Sequence, residues 1–271
     1  MRYKLAVIGV GNMARAVITG IRASTVEVDE ICLFDKNTEQ YSLLPDIGLK
    51  YKNADSIASA VERSDCVLLS VKPQNFEDVL KEIATVDEYQ NKLYITIAAG
   101  ITVQSVSDAL GGARVVRVLP NLPMTIGMGV SVICKNKHVA TDDFKFVCSL
   151  FESSGSVLLI DESDMNRIIG VTSSSPAYVF KFINAVYQGA LAQGLSEEGL
   201  LDAVCDVFIG SASLLKQLSD TPSELISKVA SKGGTTEQAL LKLNEADVDN
   251  AIYQAMLACT KRADELGGNG K

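Results

Sequence analysis

A chain of 271 residues with 47% hydrophobic side chains is long enough to bury a real core, as one large domain or two of ordinary size. Its net charge of −8, with no run of Lys and Arg, argues against nucleic acid or an anionic membrane as partner. No stretch reaches the roughly 18 apolar residues of a membrane span, and no signal-peptide pattern opens the chain, so a soluble, cytoplasmic protein is expected.

The first strand-like run, KLAVIGV (4–10), leads into Gly9-Val10-Gly11-Asn12-Met13-Ala14 and a helix over 12–23. This matches G-x-G-x-x-A. Gly9 permits the tight turn, Gly11 lets backbone approach a pyrophosphate, and Ala14 lets the helix pack on the strand with its N-terminus facing the phosphates. A second strand, EICLFD (30–35), ends in an acid and completes the context a dinucleotide site requires. Asp35 is ambiguous. An acid there usually takes the ribose 2′-hydroxyl of NADH, whereas Lys36 and Asn53, expected at the start of a helix over 54–63, would serve the 2′-phosphate of NADPH. Lys36 reads equally well as a solvated turn lysine.

Strands CVLLSV (66–71), LYITIAA (93–99) and RVVRVLP (114–120) follow, separated by helices over 75–84 and 102–110. They end at Ser70-Val71-Lys72-Pro73, Ala98-Ala99-Gly100 and Pro120-Asn121. The carboxyl ends of parallel strands line a ligand crevice, so Val71, Lys72, Pro73, Ala98, Ala99, Gly100 and Asn121 are candidate cofactor contacts. Lys72 or Asn121 would face the nicotinamide ribose. Each turn taken singly also reads as a plain strand end. Strands GVSVIC (129–134) and SVLLID (156–161) complete a mainly parallel sheet covered on both faces.

Beyond 162 strand signals vanish. Helices are expected there, broken at Gly194-Leu195-Ser196, Asp220-Thr221-Pro222 and Ser231-Lys232-Gly233-Gly234, before a low-complexity tail, GGNGK. The expected domains are 1–162, α/β and dinucleotide-binding, and 163–271, all-α. Apolar runs such as AVCDVFIGSASLL and AIYQAMLAC exceed what one thin helical layer covers and point to a homodimer through 163–271, which the resemblance given below extends to a larger oligomer.

The helix at SSSPAYVF starts on Ser175 as N-cap and Pro176 as first residue, which leaves Ser173 and Ser174 without a capping task. The six cysteines are scattered without a C-x-x-C pair, as for buried thiols in a reducing compartment. His138, the single histidine, lies in a polar turn. Ser-His-Asp hydrolysis, histidine-ligated zinc and a histidine-based dehydrogenase thereby lose their central residue.

VIGVGNMA, SVKPQ, IAAGIT, RVLPNLP, GVTSSSPAYVF and SKGGTT, in this order and spacing, resemble the pyrroline-5-carboxylate reductase family over nearly the whole chain. The resemblance implies a Rossmann domain followed by a helical dimerisation domain. It also implies hydride transfer from NADPH, less often NADH, to the imine carbon of 1-pyrroline-5-carboxylate. Ser173–Tyr178 would lie under the nicotinamide and the substrate ring, with Ser174 and Ser175 as substrate contacts. Ser231 and the amides of Gly233, Gly234 and Thr235 would hold the substrate carboxylate, an anion site of the kind a glycine-rich helix start provides. Thr236 would point its hydroxyl at the ring nitrogen as the catalytic residue.

Ser173, Lys232, Leu122 and Met124 depart from the family pattern, which usually has glycine, proline, threonine and alanine there. The departures leave open a related cyclic imine as substrate, or a catalytically idle NADP-binding paralogue. A β-hydroxyacid dehydrogenase shares the layout but needs a lysine where, counted from Gly170, this chain has Val179; Lys181 is about 200° round the helix from it.

Overall fold

The computed structural model describes residues 3–23, 26–44 and 46–267, without the side chains of 22 and 23. The GGNGK tail beyond Gly267 lies outside these residues. Eight strands are present among them: β1 (Tyr3–Ile8), β2 (Val28–Phe34), β3 (Tyr51–Asn53), β4 (Cys66–Leu69), β5 (Leu93–Thr96), β6 (Arg114–Leu119), β7 (Gly129–Lys135) and β8 (Gly155–Leu159). They form one sheet in the order β3-β2-β1-β4-β5-β6-β7-β8. All neighbours pair in parallel except β6 and β7. The order reverses between β1 and β4, the switch point at which a doubly wound sheet opens its crevice.

Continuous apolar runs make these strands because both faces are covered. CVLL of β4 and LYIT of β5 are buried throughout. Alternate residues feed two cores. Leu68 and Ile95 pack with α1 (Asn12–Ala23) and α5 (Thr141–Glu152). Val67, Leu69 and Tyr94 pack with α2 (Ile57–Glu62), α3 (Phe76–Ile83) and α4 (Val103–Ala109). Burying each such side chain contributes about 1.5–3 kcal/mol.

Compactness divides the chain into Met1–Ser174 with Leu257–Lys271, and Ser175–Met256. The sequence boundary at 162 marks where strands cease. Short 3₁₀ turns over Glu162–Asp164 and Arg167–Gly170 continue the first unit beyond it, and Met165 and Ile169 join its second core. The second unit holds α6 (Ser175–Ala192), α7 (Leu200–Gln217), α8 (Pro222–Val229), α9 (Thr235–Glu245) and the start of α10 (Val248–Leu266). The remainder of α10 belongs to the first unit, where Ala263 is buried in the second core.

Two details near the expected site differ from the sequence expectation. Asn53 does not start a helix: it ends the edge strand β3, opposite Leu33 of β2. α6 begins at Ser175 itself, so Ser174 stands at its cap position and Pro176 second.

Candidate functional site

The glycine loop sits at the switch point. Gly9 has φ +90°, and a Cβ there would lie 2.5 Å from the Ser70 carbonyl oxygen, so only glycine lets β1 leave so close to β4. Gly11 is different: a Cβ there would meet nothing within 4 Å. Its open side is the approach a pyrophosphate needs, and α1 begins at the next residue, Asn12, with its free N–H groups. Ala14 is fully buried, which lets α1 lie against the sheet.

A cleft of 360 Å³ joins Gly9, Gly11, Asp35, Lys36, Val71 and Lys72. The ends of β1, β2 and β4 thus come together as the sequence suggested. Lys36 and Lys72 are exposed on it, and Pro73 fixes the turn after Lys72 by starting a 3₁₀ turn. Asp35 turns its carboxylate to the loop. Oδ2 accepts the Val10 N–H at 2.6 Å and Oδ1 the Asn37 N–H at 2.8 Å.

Other expected contacts have different work. Asn53 is not among the residues lining the cleft. Asn121 is buried, donates Nδ2 to the Thr172 carbonyl at 3.1 Å and accepts the Val130 N–H at 2.9 Å; its side-chain amide ties the end of β6 to β7 and to the turn before α6. Ala98 is buried and Ala99 exposed. Gly100, φ +79°, faces the end of α10, where a Cβ would lie 2.8 Å from Leu266 Cβ. Packing against α10 already requires its freedom.

At the start of α6, Ser174 Oγ accepts the Cys259 thiol at 3.5 Å, while Ser173 Oγ is buried with no partner. The Ser231–Thr236 loop belongs to the second unit. Gly233 has φ +73° and donates its N–H to Glu237 Oε2 at 2.7 Å; the Gly234 N–H goes to the Ser231 carbonyl at 3.0 Å. Those two amides, expected to hold a carboxylate, already serve the loop. The open N–H groups are instead those of the first turn of α9, from Thr235 onward, where Gly234 offers no side-chain cap. Sequence reading missed Glu237 in this role, although its place four residues after Gly233 was visible.

Among the described residues no group of three His, Cys, Asp or Glu is placed to hold a metal. His138 is exposed in its turn.

Residues 162–266 match the family described as pyrroline-5-carboxylate reductase dimerisation, and residues 4–100 the one described as NADP oxidoreductase, coenzyme F420-dependent. A curated pyrroline-5-carboxylate reductase of Vibrio alginolyticus is 37% identical over 267 residues, 97% of each chain. The chain belongs to the pyrroline-5-carboxylate reductase family. A second relative of that name, from Corynebacterium melassecola, is 33% identical over 97% of this chain and 98% of its own. Among solved structures, the Streptococcus pyogenes 1-pyrroline-5-carboxylate reductase superposes with a TM-score of 0.88 at 28% identity, covering 97% of this chain and 99% of that one. The Plasmodium falciparum pyrroline carboxylate reductase with NADP bound gives 0.87 at 26%, covering 98% of each chain.

Proposed function

We propose that the chain reduces 1-pyrroline-5-carboxylate to L-proline, the last step of proline synthesis, with NADPH as hydride donor and NADH also accepted. The observation that carries this reading is full-length membership of the family, joined to a glycine loop whose Gly11 leaves open the side a pyrophosphate would approach. Bound NADPH supplies the hydride. Gly11 and the first amides of α1, at Asn12, Met13 and Ala14, would hold its phosphates, with Gly9 making the turn that presents them; Lys36, Val71 and Lys72 line the crevice. Ser231 and the first amides of α9 fix the substrate carboxylate, and Thr236 turns its hydroxyl to the ring nitrogen, its oxygen accepting the N–H of the protonated imine. A protonated cyclic imine is already electrophilic, so orientation supplies most of the acceleration. That chemistry has no need of His138.

The helical unit works as a homodimer in this reading. Among the described residues from Ser175 to Met256 only Val204 is buried, while Phe180, Val207, Ile209 and Leu214 are exposed. A partner copy would cover such a surface. The expected location is the cytoplasm, in keeping with six free cysteines; among the described residues no helix is long and apolar enough to cross a membrane.

The deciding assay is purified protein with 1-pyrroline-5-carboxylate and each reduced nicotinamide, following cofactor oxidation and proline formation. Turnover of both is expected. NADPH binding without turnover would instead identify an idle paralogue.

A further inference from the structure

Val10, the middle residue of the glycine loop, is clasped on both sides by opposite charges. Its N–H donates to Asp35 Oδ2 at 2.6 Å, and its carbonyl accepts Arg15 Nη1 at 3.1 Å. Arg15 is itself seated: Nη1 also reaches Gln40 Oε1 at 2.6 Å, and Nη2 bonds Asn12 Oδ1. Asp35 is seated too, through the Asn37 N–H on Oδ1 and through its own N–H, which donates to Tyr41 Oη at 2.8 Å. The neighbouring backbone is likewise engaged, Gly9 N–H with the Phe34 carbonyl at 2.8 Å and Arg15 N–H with the Gly11 carbonyl at 3.0 Å.

An acid at the end of the second strand is ordinarily read as a ribose acceptor that selects NADH. Here each carboxylate oxygen already accepts a backbone N–H, bonds of the charge-assisted kind. From this geometry we infer that Asp35 and Arg15 are positioning residues, a two-sided clamp that presets the glycine loop for either dinucleotide and does not select against a 2′-phosphate. Presetting a loop lowers the ordering cost of binding and serves every ligand that shares the pyrophosphate. Discrimination then falls to Lys36, exposed on the same cleft. The inference rests on the cleft being the dinucleotide site.

The test measures Kd for NADPH and for NADH, by reduced-nicotinamide fluorescence without substrate, together with kcat and KM. Asp35→Asn keeps the shape but turns a donor toward one of the two amides. Loss of a hydrogen bond to a charged group predicts roughly ten- to hundredfold weaker binding of both dinucleotides, in a constant ratio. The loss should appear in cofactor KM more than in kcat. Arg15→Met, which releases the clamp from its other side, should give the same equal losses and decides the matter if Asp35→Asn does not fold. Lys36→Ala should weaken NADPH alone. Asp35→Asn weakening NADH alone or tightening NADPH would overturn the clamp, as would wild-type Kd values in Arg15→Met. Wild-type protein that binds neither dinucleotide overturns the cofactor assignment itself, a result distinct from unequal losses in the variants.

Discussion

Arg117 and Glu162 form an ion pair, Nη1 to Oε1 at 2.9 Å, although the guanidinium is only 1% exposed and the carboxylate 29%. The pair is the centre of a polar network. Arg117 Nη2 donates to Asn166 Oδ1 at 2.8 Å, and Asn166 Nδ2 to Asp264 Oδ1 at 2.8 Å. Glu162 also accepts the Val103 N–H and the Cys134 thiol. Burial, and next the bond to Glu162, push that thiol well above its ordinary pKa. The network joins β6, β7 and the start of α4 to the end of α10 within the first unit.

Removing one member of a buried pair strands the other charge. Glu162→Ala should therefore cost about 3 kcal/mol or more in urea unfolding. Arg117→Met/Glu162→Met should cost less than Glu162→Ala alone, because no buried charge is left over.

The two glycines of the cofactor loop should separate stability from binding. Gly9→Ala forces a Cβ onto the Ser70 carbonyl at φ +90° and should lower Tm by several degrees. Gly11→Ala touches nothing in the chain, so Tm should hold while NADPH affinity falls at least tenfold. Unchanged affinity in Gly11→Ala would remove the pyrophosphate from this loop.

Thr236→Ala should reduce kcat/KM for 1-pyrroline-5-carboxylate by roughly ten- to hundredfold, the worth of about one hydrogen bond, with NADPH affinity kept. Thr236→Ser should recover much of the loss. Full activity in Thr236→Ala would displace the substrate pose.

Glu224 closes a capping box on Thr221 at the start of α8. The Thr221 N–H, then its hydroxyl, hold the Glu224 carboxyl below its usual pKa. A depressed carboxyl stabilises the fold above its unfolded pKa and loses that contribution as pH falls through the folded one. Protection of the first-turn amides of α8, measured against the intrinsic exchange rate at each pH, should accordingly fall as Glu224 is protonated, and Glu224→Gln should flatten that profile.

The sheet was legible because parallel strands buried on both faces advertise themselves as apolar runs, as CVLL and LYIT do. β3 was not. Tyr51-Lys52-Asn53 is three residues at an edge, partly exposed, and carries no such run, which is why the sequence pattern suggests a helix start at Asn53. The break between α9 and α10 was hidden for another reason: Asp247 makes the turn at φ +51° without glycine or proline to announce it. Motifs located the glycine loop and the Ser231–Thr236 loop. They are silent on hydrogen-bond partners, and so miss that Asn121 ties β6 to β7 and to the turn before α6, that Gly100 meets Leu266, and that Glu237 takes the Gly233 amide.

The return of α10 to the first unit also sets an order of events on the ribosome. The glycine loop and all eight strands are synthesised first, yet the turn at Gly100 is covered by Leu266 and the second core receives Ala263 only after the whole of Ser175–Met256 has been made. A nascent chain stopped at Met256 carries every residue of the cofactor cleft around an unfinished core. The amino-terminal domain can complete its packing only after the second unit has been synthesised. The last contacts of the nucleotide-binding half thus come from the end of α10, and a chain ending at Met256 should be more readily cleaved by protease than the whole one.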